Sequence, residues 1–194
     1  MPNYKTVFFT LGMLQIILGI SMIIPIIFQI IFNELDSSFI GASIITIVFG
    51  ILFFLSNMDH QKKLNLKQAF LLTALAWFSI AIFGSLPFIF SNLQLSVTDA
   101  FFESMSGITT TGSTIIINLN ESPKGILVWR AILQWLGGIG IIVMAITLMP
   151  IMNVGGMQLF KISSTDTSEK ILPKSKEVSI RLIIIYLVLT FLCA

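Results

Sequence analysis

Charge is what this sequence has least of. Only 10% of its 194 residues are charged, while 56% are hydrophobic. A soluble domain carries about 25% charged residues, so a bilayer, not water, is the solvent this chain is built for. Cysteine is nearly absent: Cys193 stands alone, which excludes an internal disulfide. His60 is the single histidine, set in the polar run Asp59-His60-Gln61-Lys62-Lys63, and one imidazole without thiolate partners does not make a metal centre. There is no glycine-rich phosphate loop and no Ser/His/Asp set, so the chain reads as no enzyme and as holding no cofactor. A net charge of +2 is too small to engage nucleic acid.

What is present is uncharged length. Five runs carry no charged residue: Thr6–Asn33, Ser37–Met58, Gln68–Thr98, Ala131–Phe160 and Leu182–Ala194. A spanning helix needs about 20 apolar residues, and the first four runs reach that length. The fifth is shorter and reads as the start of a further span, which makes the chain the front part of a longer protein. The first run is far longer than the ~7–15 apolar residues of a signal peptide and has no small-residue cleavage site behind it, so it reads as a retained helix.

The basic residues orient these spans. Lys5 precedes the first; Lys62, Lys63 and Lys67 separate the second and third; Lys161, Lys170, Lys174, Lys176 and Arg181 follow the fourth. Only Lys124 and Arg130 fall on the opposite side. The positive-inside rule makes the crowded side cytoplasmic, with the N-terminus inside. The acidic turn Asn33-Glu34-Leu35-Asp36 and the segment from Ser91 to Lys124 then lie outside. Pro25 is expected to kink the first span, Pro87 to kink or end the third, and Pro150 to end the fourth.

Between the third and fourth spans stands DAFFESMSGITTTGST, Asp99 to Thr114. Ser96 and Asp99 have the spacing of a capping box. The pattern that follows predicts a helix from about Val97 to Gly107, with Gly107 as its terminator. At 1.5 Å per residue it is roughly 16 Å long, too short to cross a hydrocarbon core of about 30 Å. It can descend partway and return. The return, Thr109-Thr110-Thr111-Gly112-Ser113, is poor helix material. In lipid each unpaired backbone group costs several kcal/mol, so such a stretch belongs where water or ions meet its carbonyls. Gly112 permits backbone angles that a side chain forbids. Carbonyls and threonine hydroxyls in a column replace the hydration shell of a cation, and the preceding helix aims its partially negative end at them. A threonine- and glycine-rich extracellular loop is the plain alternative.

The order of this unit and the following WRAILQWLGGIGIIVMAITLMPIMNVGGMQLF (Trp129 to Phe160) resembles the Trk/Ktr/HKT superfamily of cation transporters, most closely the TrkH-type membrane subunit of bacterial potassium uptake. Trp135-Leu136-Gly137-Gly138 and Gly155-Gly156-Met157-Gln158-Leu159 carry the likeness beside the Thr/Gly loop. The resemblance implies four helix–pore loop–helix repeats around one pore. The fold class expected for this chain is all-α integral membrane: two N-terminal helices over residues 1–65, the first repeat over 66–150, a cytoplasmic connector over 151–180 and the start of the second repeat over 181–194. It also implies a filter at Thr109, Thr110, Thr111, Gly112 and Ser113, with potassium at Thr110, Thr111 and Gly112. Some plant members replace the filter glycine with serine and favour sodium, so Gly112 leans toward potassium. The implied partners are the remaining repeats, a second copy in a homodimer and a cytoplasmic nucleotide-binding regulatory subunit, with membrane lipid around them in a bacterial inner membrane.

Asp99 and Glu103 share a helix face. Each reads either as a cation-attracting pore mouth or as a structural group, Asp99 as a cap and Glu103 as the partner of Lys124 or Arg130. Arg130 snorkels to the interface or pairs with a carboxylate. Gly137, Gly138 and Gly140 thin one side of the fourth span, for close packing or as a hinge. Trp77, Trp129 and Trp135 read as packing or interface anchors. Two rival functions remain: a homotetrameric pore-loop channel, and a non-transporting membrane module for assembly or regulation.

Overall fold

The structure, a computed structural model, describes residues 4–34, 36–58, 66–152 and 168–193. His60, Lys62, Lys63, Lys161 and the Gly155–Leu159 block lie outside the described residues. All regular structure within them is helical. Among the described residues, four helical segments are long and apolar enough to cross a membrane: Lys5–Ile31, Ser38–Ser56, Lys67–Phe90 and Lys124–Ile142.

Proline shapes the first span. Pro25 has no N–H for the Ser21 carbonyl, and the helix divides into α1 (Lys5–Ser21) and α2 (Ile23–Ile31), with Met22 at the joint. The Asn33 backbone then turns left-handed (φ 54°), and α3 (Ser38–Ser56) returns alongside α1. Their packing is set by glycine. A Cβ on Gly12 would stand 2.7 Å from the Gly50 carbonyl, and one on Gly50 3.0 Å from that of Gly12. The Ser43 hydroxyl donates to the Gly19 carbonyl at 2.8 Å. Small residues that let two backbones meet are the usual device of helix pairs in lipid.

Helix α4 (Leu66–Phe90) packs on α1 and α3 and runs three residues past Pro87, which therefore does not terminate it. Helix α5 (Val97–Ile108) is the short helix of the loop unit. A single 3-10 turn (Leu119–Glu121) leads into α6 (Lys124–Met152). Pro150 does not end that helix as expected; the assigned helix closes two residues later, within the fraying usual at a helix end. Helix α7 (Ser168–Cys193) begins well inside the segment read as a connector. Thr165-Asp166-Thr167-Ser168-Glu169 is rich in N-capping residues followed by an acid, a helix-start signal that the polar composition obscured.

The chain forms two compact units, Met1–Gly137 and Gly138–Ala194. In the first, Leu18, Met22, Phe39, Phe88, Ala100, Ile126, Trp129 and Leu133 join in one core. In the second, a Cβ on Gly138 would lie 2.6 Å from the Tyr186 hydroxyl, a close approach of α6 and α7.

One carboxylate ties the N-terminal pair to the rest of the first unit. Glu34 accepts from the backbone N–H of Lys124 at 2.8 Å and of Gly125 at 3.3 Å. It caps α6 from a turn some 90 residues earlier in the chain. Replacing a capping carboxylate at a helix N-terminus costs about 0.5–2 kcal/mol. Glu34→Ala is therefore expected to lower the melting temperature of the purified protein by roughly 1–8 °C. A melt that overlays the wild type would show the cap to be idle.

Candidate functional site

Helix α5 starts where its sequence says it should. The Asp99 N–H donates to Ser96 Oγ at 3.1 Å and the Ser96 N–H to Asp99 Oδ2 at 3.4 Å, a complete capping box. Of the two roles weighed for Asp99, capping is the one its contacts display.

Three helices converge beneath this cap through glycines. The Trp129 indole N–H donates to the Gly84 carbonyl at 2.9 Å, so Trp129 is a core anchor and not an interface residue. A Cβ on Gly84 would stand 2.6 Å from Ser104 Oγ, and one on Gly107 would stand 3.0 Å from Leu133 Cβ. At Gly137 an added Cβ would overlap the Ile108 carbonyl oxygen and lie 2.7 Å from its carbon. Gly137 falls near the middle of α6, about 20 Å along the axis from Lys124. The last residue of α5 therefore sits beside the midpoint of a membrane-length helix.

The termination of α5 differs from expectation. Gly107 lies within the helix, where its missing side chain admits Leu133. The helix continues to Ile108, and Thr110 takes the left-handed position (φ 59°). The Thr110 N–H bonds the Gly107 carbonyl at 2.9 Å and the Thr111 N–H bonds that of Ser106 at 3.0 Å, the two bonds of a Schellman motif. Glycine is the usual residue at that position; a β-branched one there is strained. Such strain persists only where the surroundings over-determine it, and it clusters at functional sites.

Beyond Thr110 the chain is non-helical through Ile116. Gly112 also has positive φ (77°). The Thr109 hydroxyl donates to the Met105 carbonyl at 2.7 Å and lies 2.9 Å from the Thr111 hydroxyl, which must then be the donor of that pair. Thr109 through Thr114 are exposed, with Ile116 buried behind them. No donor among the described residues meets the carbonyls of Thr110, Thr111 or Gly112. The Ser113 carbonyl differs: it accepts from Ser106 Oγ at 2.7 Å and from an Arg130 Nη at 3.4 Å.

Glu103 is wholly buried. One oxygen accepts from both the Thr114 hydroxyl and the Ile115 N–H, each at 2.6 Å. The other lies 2.9 Å from Arg130 Nε, an ion-pair contact without hydrogen-bond alignment. Of the roles weighed for Glu103, pairing with Arg130 is the one observed, and Arg130 faces inward instead of snorkelling. Removing one partner of a buried ion pair costs about 3–5 kcal/mol.

Ser106 went unnoticed in the sequence, though its position three residues after Glu103 puts both on one helix face. Gly84 gave no local signal at all. Among the described residues there is no cluster of His, Cys, Asp and Glu fit for a metal ion. What the loop offers a cation is backbone oxygen and hydroxyl.

The TrkH family profile, described as a cation transport protein, matches residues 35–194. The chain belongs to that family. It is a family of transporters, not of enzymes. The chain is 42% identical over 185 residues to the Trk system potassium uptake protein TrkI of Halomonas elongata, covering 95% of this chain and 38% of that protein. It is 36% identical over 196 residues to the Trk system potassium uptake protein TrkH of Vibrio parahaemolyticus, covering 99% of this chain and 40% of that one. The crystal structure of the potassium transporter TrkH from Vibrio parahaemolyticus superposes with a TM-score of 0.83 at 34% identity, covering 97% of this chain and 38% of that chain. The chain thus spans about two fifths of the length of the curated relatives it matches. The TrkH-type resemblance read from the Thr/Gly loop and the Trp129–Phe160 block is the family found.

Proposed function

We propose that this chain supplies one quarter of a potassium filter in a TrkH-type uptake protein, with Thr109, Thr110, Thr111, Gly112 and Ser113 as its pore segment and potassium passing at Thr110, Thr111 and Gly112. The observation that carries the reading is the halt of α5 beside Gly137, with backbone carbonyls just beyond it that no donor among the described residues meets. Fixed partial charges of this kind replace a hydration shell and still let the ion leave. Asp99, half-buried at the opposite end of α5, adds negative charge at the mouth; Glu103 is neutralised by Arg130 and contributes little charge there. One quarter of a cage does not close, so the partners are the three further repeats that the family resemblance implies, for which a polypeptide of the relatives' greater length has room. A second copy, a nucleotide-binding regulatory subunit on the cytoplasmic side and inner-membrane lipid complete the assembly, with the N-terminus cytoplasmic.

The test is growth and tracer uptake. The intact gene product, expressed in a bacterial strain stripped of its own potassium uptake, is expected to restore growth at low potassium and to take up rubidium. Normal membrane insertion without uptake would favour the non-transporting module. A cross-linking ladder that stops at four copies of a chain of this length would favour the homotetrameric channel.

A further inference from the structure

Glu103 and Arg130 are the one ion pair with both side chains buried among the described residues, and the filter reading by itself gives them no task. Their contacts all fall on the far side of the loop. A carbonyl oxygen has two lone pairs, and the Ser113 carbonyl has both engaged, by Ser106 Oγ and by Arg130. It has nothing left to give a cation. The next two residues are held by the Glu103 carboxylate through the Thr114 hydroxyl and the Ile115 N–H. Among the described residues, the run of carbonyls without a donor that starts at Thr109 is interrupted at Ser113.

We infer that Glu103 and Arg130 are positioning residues for ion selection: the pair turns the Ser113 carbonyl into the protein, fixes where the oxygen column ends, and keeps a guanidinium next to the ion path electrically silent. This rests on the filter reading above. The two partners act with opposite sign. Without the Glu103 charge, an uncompensated Arg130 repels cations. Without Arg130, an uncompensated carboxylate attracts them, and the Ser113 carbonyl, still held by Ser106, regains one lone pair with which to bind a cation.

The experiment uses the intact gene product carrying Glu103→Gln, Arg130→Gln or both, and measures uptake KM for rubidium, competition by sodium, and thermal stability of the purified protein in potassium against sodium chloride. Glu103→Gln is expected to raise KM about tenfold, a coupling usual for contacting charges. Arg130→Gln is expected to leave KM equal or lower while the potassium-over-sodium preference falls. The double variant should bring KM back toward wild type with the preference still impaired. A shift of KM in the same direction for both single variants, or a loss of stability with KM and preference unchanged, overturns the inference. If the single variants do not fold, Ser106→Ala removes one hydrogen bond, to the Ser113 carbonyl, and Thr114→Val removes two, to Glu103 and from the Ile116 N–H; neither strands a charge. They are expected to lower the preference, and wild-type preference in both would overturn the inference. If the wild-type protein shows neither uptake nor extra stability in potassium, the filter reading itself has failed, a result distinct from any of these.

Discussion

Gly137→Ala is expected to abolish uptake, with rates falling more than tenfold, while Gly140→Ala leaves it intact. The two glycines lie less than one turn apart on α6, and composition gives no reason to separate them. Geometry does. A methyl group on Gly137 would overlap the Ile108 carbonyl, whereas one on Gly140 meets nothing within 4 Å among the described residues. The obstacle at Gly137 is backbone, at the end of a helix already fixed by its capping box and by Leu133 against Gly107. It has no rotamer to change, so α5 must move. Overpacking of a tight contact costs about 1–3 kcal/mol, and here the displacement falls on the residue that precedes the Thr109–Ser113 loop. Gly140→Ala is expected to be neutral or mildly stabilising, since alanine is favoured over glycine in a helix by about 1 kcal/mol. Uptake assays and melting curves on the two variants give the comparison. Equal behaviour would mean that α5 does not rest on α6 at Gly137.

That pair of glycines also marks how far the sequence could be read. The spans were legible because uncharged length is a strong signal, and the capping box of α5 because it is local: Ser96 and Asp99 need only each other. The glycine-thinned face of α6 was legible as a contact, but not which glycine meets what. Gly137 meets the Ile108 carbonyl, Gly138 meets Tyr186, and Gly140 meets neither. Long-range partners left no trace. Glu34 reads as one more acid in an outer turn, yet it caps α6. Gly107 reads as a terminator because glycine usually is one, but here tertiary packing against Leu133 claims it and leaves the left-handed position to Thr110. The Arg130–Glu103 alternative was visible only because so few charges exist in this chain to pair with.

Gly112 gives the sharpest test of the proposed filter. Its φ of 77° lies where side-chain-bearing residues rarely go, but the space around it is open: the nearest atom to an added Cβ is Gln134 Nε2, at 3.8 Å. A substitution there is therefore strained in the backbone and not by collision. Left-handed conformation costs an L-residue about 1–2 kcal/mol, which the loop can relieve by rotating the peptide next to Gly112. That rotation turns a carbonyl out of the column. Gly112→Ala and Gly112→Ser are both expected to insert and fold at wild-type levels, because nothing in the core is touched, and to lose potassium-over-sodium preference by about tenfold, the equivalent of ~1.4 kcal/mol. The alanine variant decides the cause. If strain is responsible, alanine and serine fail alike. If only serine fails, the added hydroxyl is acting as a ligand and the backbone has kept its shape. Wild-type preference in both variants would mean that the Gly112 carbonyl takes no part in choosing the ion, and the segment from Thr109 to Ser113 would lose its standing as a filter.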